Sequence, residues 1–299
     1  MPDDVLFSLP DEPGSAPPAT NPASERTPPA VSAPDPPAPT AGQPPCPVVR
    51  LLALADQFTQ HNDSLARLRP AYGAARGHAS AQVLASACTD AVKAIEEQSL
   101  PATAAVREAA IRIKQLAYLT EGSSRHLAAA KALLSTPAPE TDQGRGGRDI
   151  VRQTELAQEL TALGPASALQ AATTVALAMN RRSHPGAMDA GRLTHVERAT
   201  LNATARGHLA TGWSAGQEFA HSQTGTAYIA TVLSLEQQGL IAREPASAPP
   251  AADGGPPQDR VRLTLKGAMI VAAQLGRGLY TPAPATTAAR ATPAPARPR

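Results

Sequence analysis

The 299-residue sequence predicts a mainly α protein: an antiparallel helical bundle or coiled-coil region first, then a helix–turn–helix with a small β-ribbon near the C-terminus. Three observations carry that expectation. Apolar residues recur at heptad spacing through residues 48–135. Between the proline-rich stretches the chain is rich in Ala, Leu, Arg and Gln, and the whole sequence holds only eight aromatic residues (three Phe, four Tyr, one Trp), which favours helix over sheet. Near the end, a glycine closes one apolar run and two short alternating segments follow it.

Residues 1–47 are a Pro/Ala-rich tail that buries too little apolar surface to offset chain entropy and reads as disordered, serving as a spacer, a docking tail or a phosphorylation target. From Val48 a first helix carries Leu51, Phe58 and Leu65 at one heptad position and Leu54, His61 and Leu68 at the other. Pro70 ends it, since proline restrains the residue before it and donates no backbone bond. A second helix is expected over 80–98, with Leu84, Cys88, Ala91 and Ile95 on one stripe, and a third over 102–134, with Val106, Ile113, Thr120, Leu127 and Leu134 seven apart and Ala110 and Ala117 alongside. Short connections imply an antiparallel three-helix bundle over 48–135. Its seams are narrow and Ala-lined, so either a homodimer supplies the missing burial or the three helices suffice alone. Residues 136–148 read as a linker, and 149–191 as two connecting helices divided by Gly164-Pro165, with Ile150, Leu156, Leu160 and Leu163 on one and Leu169, Thr173, Ala176 and Leu177 on the other.

The segment 192–280 carries the strongest pattern. Thr194-His195-Val196-Glu197 fits a capping box and opens a helix at about residue 195 that runs to about Leu209, with Gly212 as its breaker. Ser214 is the next N-cap candidate, opening a short helix through Glu218-Phe219-Ala220, and Trp213 and Phe219 are expected as core anchors of this small domain. A turn at Gln223-Thr224-Gly225 leads to a third helix with Tyr228, Ile229, Val232, Leu233 and Leu235. Leu235-Glu236-Gln237-Gln238-Gly239-Leu240-Ile241 ends that helix and starts a strand; the alternation Arg260-Val261-Arg262-Leu263-Thr264-Leu265 returns it, and a final helix runs to about Leu275. Residues 281–299 are again a disordered tail.

These residues resemble the MarR-type winged helix–turn–helix transcription regulators. The similarity covers about 85 residues, from Leu193-Thr194 through Glu218-Phe219-Ala220 and the glycine-ended motif to Val261-Arg262-Leu263-Thr264-Leu265-Lys266-Gly267. It implies a third helix in the major groove of double-stranded DNA and a wing on its backbone, with Thr224, Thr226, Tyr228 and Thr231 near DNA and Arg243, Arg260 and Arg262 at phosphates. The presumed recognition helix, 222–238, lacks Arg and Lys, the commonest readers of guanine. A second class therefore stays open, a protein-interaction or assembly protein that uses the winged module on protein partners.

Charge divides unevenly. Residues 1–149 hold 13 Lys+Arg against 16 Asp+Glu, and 150–299 hold 14 against 9, a C-terminal surplus that permits attraction to nucleic acid without demanding it. Arg outnumbers Lys 23 to 4, the bias of a GC-rich bacterial coding sequence. His184, His195, His208 and His221 stand 11, 13 and 13 apart, matching no zinc spacing, and no glycine-rich stretch is followed by the Lys-Ser/Thr of a phosphate loop. No catalytic residue, metal site or cofactor is expected. Cys46 and Cys88 form no disulfide framework, the start lacks a signal pattern, and the longest low-polarity run, 171–179, is half a membrane span; a soluble, cytoplasmic protein is the expectation.

Overall fold

In the computed structural model, the described residues are 46–67, 70–98, 100–135, 143–181, 193–214, 216–223, 227–251 and 255–277. The expectations for residues 1–45 and 281–299, for Leu68 and for His184 lie outside them, while Pro47, expected in the first tail, already belongs to a helix. Five helices come first: α1 (Pro47–Arg67), α2 (Pro70–Glu97), α3 (Ala104–Ser135), α4 (Gln143–Thr161) and α5 (Gly164–Asn180). The heptad seam of α1 is buried as its spacing predicts, with Leu51, Leu54, Phe58, His61 and Leu65 all inside. On α3 the buried stripe is Val106, Ala109, Ile113, Leu116, Thr120, Ser123, Leu127 and Ala130, alternating three and four residues apart. Sequence reading caught the first member of each heptad and took Ala110 and Ala117, one residue off, for the second; Leu134 is exposed.

Two helices start earlier than expected. α2 begins ten residues before the expected start. Pro70 is its first residue, where a missing N–H costs nothing, and Gly77 is needed inside it, because a Cβ there would stand 2.7 Å from Leu65 Cδ2. α4 starts at Gln143, inside the expected linker. It buries Thr154, Ala157 and Thr161, while Leu163, expected on its apolar face, is exposed.

α5 is apolar nearly all round. Its core face is Ala168, Ala171, Ala172, Val175 and Ala176; of the expected stripe, Ala176 is on that face, and Leu169, Thr173 and Leu177 are only partly buried. α5 covers α1, α4 covers α3, and the last helix, α8 (Leu265–Arg277), packs on α5 and α1. The burial that the narrow seams lack is thus supplied by later helices of the same chain, and one apolar cluster runs from Val48 through Phe58 and Val175 to Val232 and Val271.

The C-terminal part holds α6 (His195–Ala205), β1 (Leu209–Ser214), β2 (Gln217–Ser222), α7 (Ile229–Gln237), β3 (Ile241–Ala248) and β4 (Gln258–Leu263) ahead of α8. The capping box forms as expected: Thr194 Oγ1 accepts from the Glu197 amide, and Glu197 accepts from the Thr194 amide. The four strands make one antiparallel sheet in the order β2-β1-β4-β3. The ribbon expected from the two alternating segments is β3–β4, with Ile241 opposite Leu263 and Arg243 opposite Val261.

The helix expected from Ser214 through Ala220 is instead a β-hairpin, so the described residues contain no helix–turn–helix at this point. Only two residues separate Ser214 from Gln217, and the second, Gly216, has φ +76°, a backbone state that glycine reaches freely and that tight hairpins require. Trp213, expected as a core anchor, is 66% exposed, whereas Phe219 is half-buried against Gly212.

The glycine-ended motif has a structural explanation. α7 closes on Gly239, Thr264 Oγ1 donates to the Gly239 carbonyl at 2.7 Å and Lys266 Nζ to the Gln238 carbonyl at 2.9 Å. Thr264 also caps α8 by accepting from the Gly267 amide at 3.1 Å. Any side chain at 267 would drive a Cβ to 1.9 Å from the Leu240 carbonyl oxygen. Leu-Thr-Leu-Lys-Gly therefore fastens α8 to the end of α7.

Candidate functional site

The residues singled out by the ribbon and by the helix before it divide into three groups. Thr224 and Thr226 lie outside the described residues. Tyr228 and Thr231 sit at the start of α7: Tyr228 is 57% exposed at the N-cap position, with no side-chain cap, and Thr231 is half-buried. Arg243, Arg260 and Arg262 are all engaged by carboxylates.

Arg243 on β3 holds Glu236 of α7 with two nitrogens, at 3.0 and 2.9 Å, and reaches Glu218 of β2 with NH1. Hydrogen bonding to Glu236 leads the effects that raise its pKa above the ordinary arginine value. Arg260 is 6% exposed and makes a fork to Asp63 on α1, Nε to Oδ2 and NH2 to Oδ1, both at 2.7 Å. Its NH1 donates to the Gly207 carbonyl at 2.8 Å. Arg262 repeats the arrangement one heptad earlier on α1: Nε and NH2 hold Asp56, and NH1 holds Glu244 at 2.9 Å.

Strand and helix periodicities make this double clamp possible. Arg260 and Arg262, two apart on β4, share one face of the strand, and Asp56 and Asp63, seven apart on α1, share one face of the helix. Planar guanidinium forks suit such bidentate pairing. Arg260, expected at a DNA phosphate, points inward and joins the sheet to α1. Burial pushes the Asp63 carboxyl above its usual range, with the Arg260 hydrogen bonds and charge opposing the rise.

The exposed face of α7 is uncharged among its outermost residues, Tyr228, Ala230, Gln237 and Gln238. Unpaired cations lie elsewhere. A groove of about 1240 Å³ runs between α1 and α5 on one side and α6 and α8 on the other, lined by Leu169, Leu177, Arg198, Arg206, His208 and Gln274 among others. The partners Asp56 and Asp63 and the groove arginines were missed from sequence. Two aspartates one heptad apart beside a buried seam were the available signal for the clamp; nothing local marks the groove.

Among the described residues no group of three or more His, Cys, Asp or Glu could hold a metal ion. Cys88 is buried, and burial pushes its thiol up to about 12. Comparison of the chain with family models, curated proteins and solved structures finds no match.

Proposed function

We propose that the chain is a non-enzymatic interaction and assembly protein whose C-terminal module docks protein partners. The observation that carries this reading is the neutralisation of the ribbon. Arg243, Arg260 and Arg262 each face carboxylates at hydrogen-bond distance, and the helix before them offers no cation. A duplex-binding surface needs several uncompensated cations, since phosphate neutralisation supplies nearly all non-specific affinity. The exposed Trp213 and Tyr228 fit protein recognition better, because Trp and Tyr dominate the energetic centres of protein interfaces.

The rival is the DNA-binding regulator of MarR-like winged-helix type. The order helix α7, strand β3, strand β4 favours it, together with the polar Tyr228 and Thr231 at the start of α7.

The test pairs two measurements on the full chain. Anisotropy titration with random 30-base-pair duplexes at about 50 and 200 mM salt is expected to give no binding in the range of roughly 10⁻⁴–10⁻⁶ M typical of non-specific DNA binders. A photo-crosslinking residue at position 228 or 213, in cells of the source organism, is expected to trap one discrete protein. Salt-sensitive duplex binding within that range, with no crosslink at either position, would overturn the proposal in favour of the regulator.

A further inference from the structure

The groove between the helical bundle and the C-terminal module has an imbalance of charge that the clamp does not absorb. Of its charged lining residues, Asp63 supplies the negative charge, and the fork from Arg260 already consumes it; Arg277, also in the lining, is itself already engaged. Arg198 and Arg206 line the same groove and form no ion pair with any described residue; Arg198 spends one NH1 bond on the Leu193 carbonyl, at 3.1 Å. They lie eight residues apart with Asn202 midway, so all three fall on one face, with an arginine one turn to either side of the amide. Both arginines are exposed at the groove margin, and their long side chains can close on one anion above Asn202.

A pair of solvated arginines alone would be unremarkable. Two further atoms bear on the groove. His208 and Gln274 line this groove, and their atoms Nδ1 and Nε2 are buried with no hydrogen-bond partner among the described residues. Buried polar atoms without a partner are rare and ask for one. His208 is held neutral, its pKa lowered by burial first and then by Arg206 and Arg260, so it offers a polar atom without adding charge. Pro165, Leu169, Leu177 and Leu275 line the same groove and give it an apolar part that inorganic phosphate could not cover.

We propose that this groove binds a small organic phosphomonoester, with the phosphate between Arg198 and Arg206 and the organic body on its apolar part. The charge count selects phosphate over carboxylate. A phosphomonoester carries about −1.5 to −2 at neutral pH, matching two uncompensated guanidiniums, whereas a carboxylate neutralises one. The inference goes beyond the interaction reading and does not depend on it.

Isothermal titration of the full chain tests it with phenyl phosphate as probe, and with inorganic phosphate, benzoate and a single-stranded 12-mer oligonucleotide as comparisons. Phenyl phosphate is expected to bind at least about tenfold more tightly than each comparison, a difference of about 1.4 kcal/mol. The double variant R198A/R206A is expected to lose at least that factor, while R107A, an exposed arginine on α3, keeps wild-type affinity. Because Arg198 and Arg206 are exposed, the variant's thermal midpoint should match wild type, which separates lost binding from lost folding. No heat from phenyl phosphate at about 5 mM, equal affinity for benzoate, tighter binding of the oligonucleotide, or undiminished affinity in R198A/R206A would each overturn the proposal.

Discussion

Removing one partner of the Arg260–Asp63 pair should be the most damaging polar substitution in the protein. Both residues are nearly inaccessible, at 6% and 7% exposure, and they share two bonds of 2.7 Å. R260A strands a buried carboxylate and D63A strands a buried guanidinium, and breaking such a pair costs about 3–5 kcal/mol. Against a total stability of about 5–15 kcal/mol, that is a large fraction. With a urea dependence of about 2–3 kcal/mol/M, the midpoint should fall by about 1–2.5 M. The replacement of both residues, R260M/D63L, should recover most of the loss, because a well-packed apolar pair needs no desolvation of charge. D56A supplies the contrast: Arg262 and Asp56 are 31% and 28% exposed and Glu244 remains as a partner, so about 1 kcal/mol is expected. Urea unfolding followed by circular dichroism measures all four. A loss below about 1 kcal/mol for both R260A and D63A, or additive losses in the double variant, would refute the reasoning that the pair is a buried clamp.

Further expectations follow from single sites. His61 is buried, with Nδ1 3.1 Å from Ser80 Oγ, and burial pulls its pKa down from 6.5 to about 4. Protonation therefore favours the unfolded chain: stability is complete above pH 6.5 and declines as pH falls toward 4, by up to about 3 kcal/mol. Urea midpoints between pH 7 and 4 should show the decline, and H61L should remove it within that window. G267A forces a Cβ to 1.9 Å from the Leu240 carbonyl and should cost at least about 1–3 kcal/mol, lowering the thermal midpoint, because backbone must shift to admit it. T194A deletes the acceptor of the α6 capping box and should cost about 1 kcal/mol by the same assay.

The bundle was legible because its helices bury residues at a spacing that only a helix brings to one face; Leu51, Phe58 and Leu65 lie inside as the heptad pattern requires. Capping chemistry was equally readable at Thr194, and the glycine-ended helix leading into a ribbon was readable at Gly239. The reading failed where one residue type supports two local structures. Ser214 can cap a helix or end a strand, and Glu218-Phe219-Ala220 suits either; Gly216, two residues after Ser214, was the hairpin signal. The second helix was expected only from residue 80, yet α2 runs through Gly77, against which Leu65 packs, a tertiary contact that outweighs propensity. The roles of Arg260 and Arg262 were hidden for a different reason. Alternating arginines on a strand look solvated from sequence, and their aspartates lie some 200 residues earlier, with separations of 197 and 206.

The central claim is that Arg260 and Arg262 hold the sheet on α1 through Asp63 and Asp56, with Arg260 closed off from solvent. Arginine-specific modification by phenylglyoxal, read by peptide mass spectrometry on the native chain, tests it directly. Arg107 and Arg206, both exposed, should react quickly, Arg262 slowly, and Arg260 only when the chain unfolds. Modification of Arg260 and Arg262 at the rate of Arg107 in the folded protein would contradict the claim.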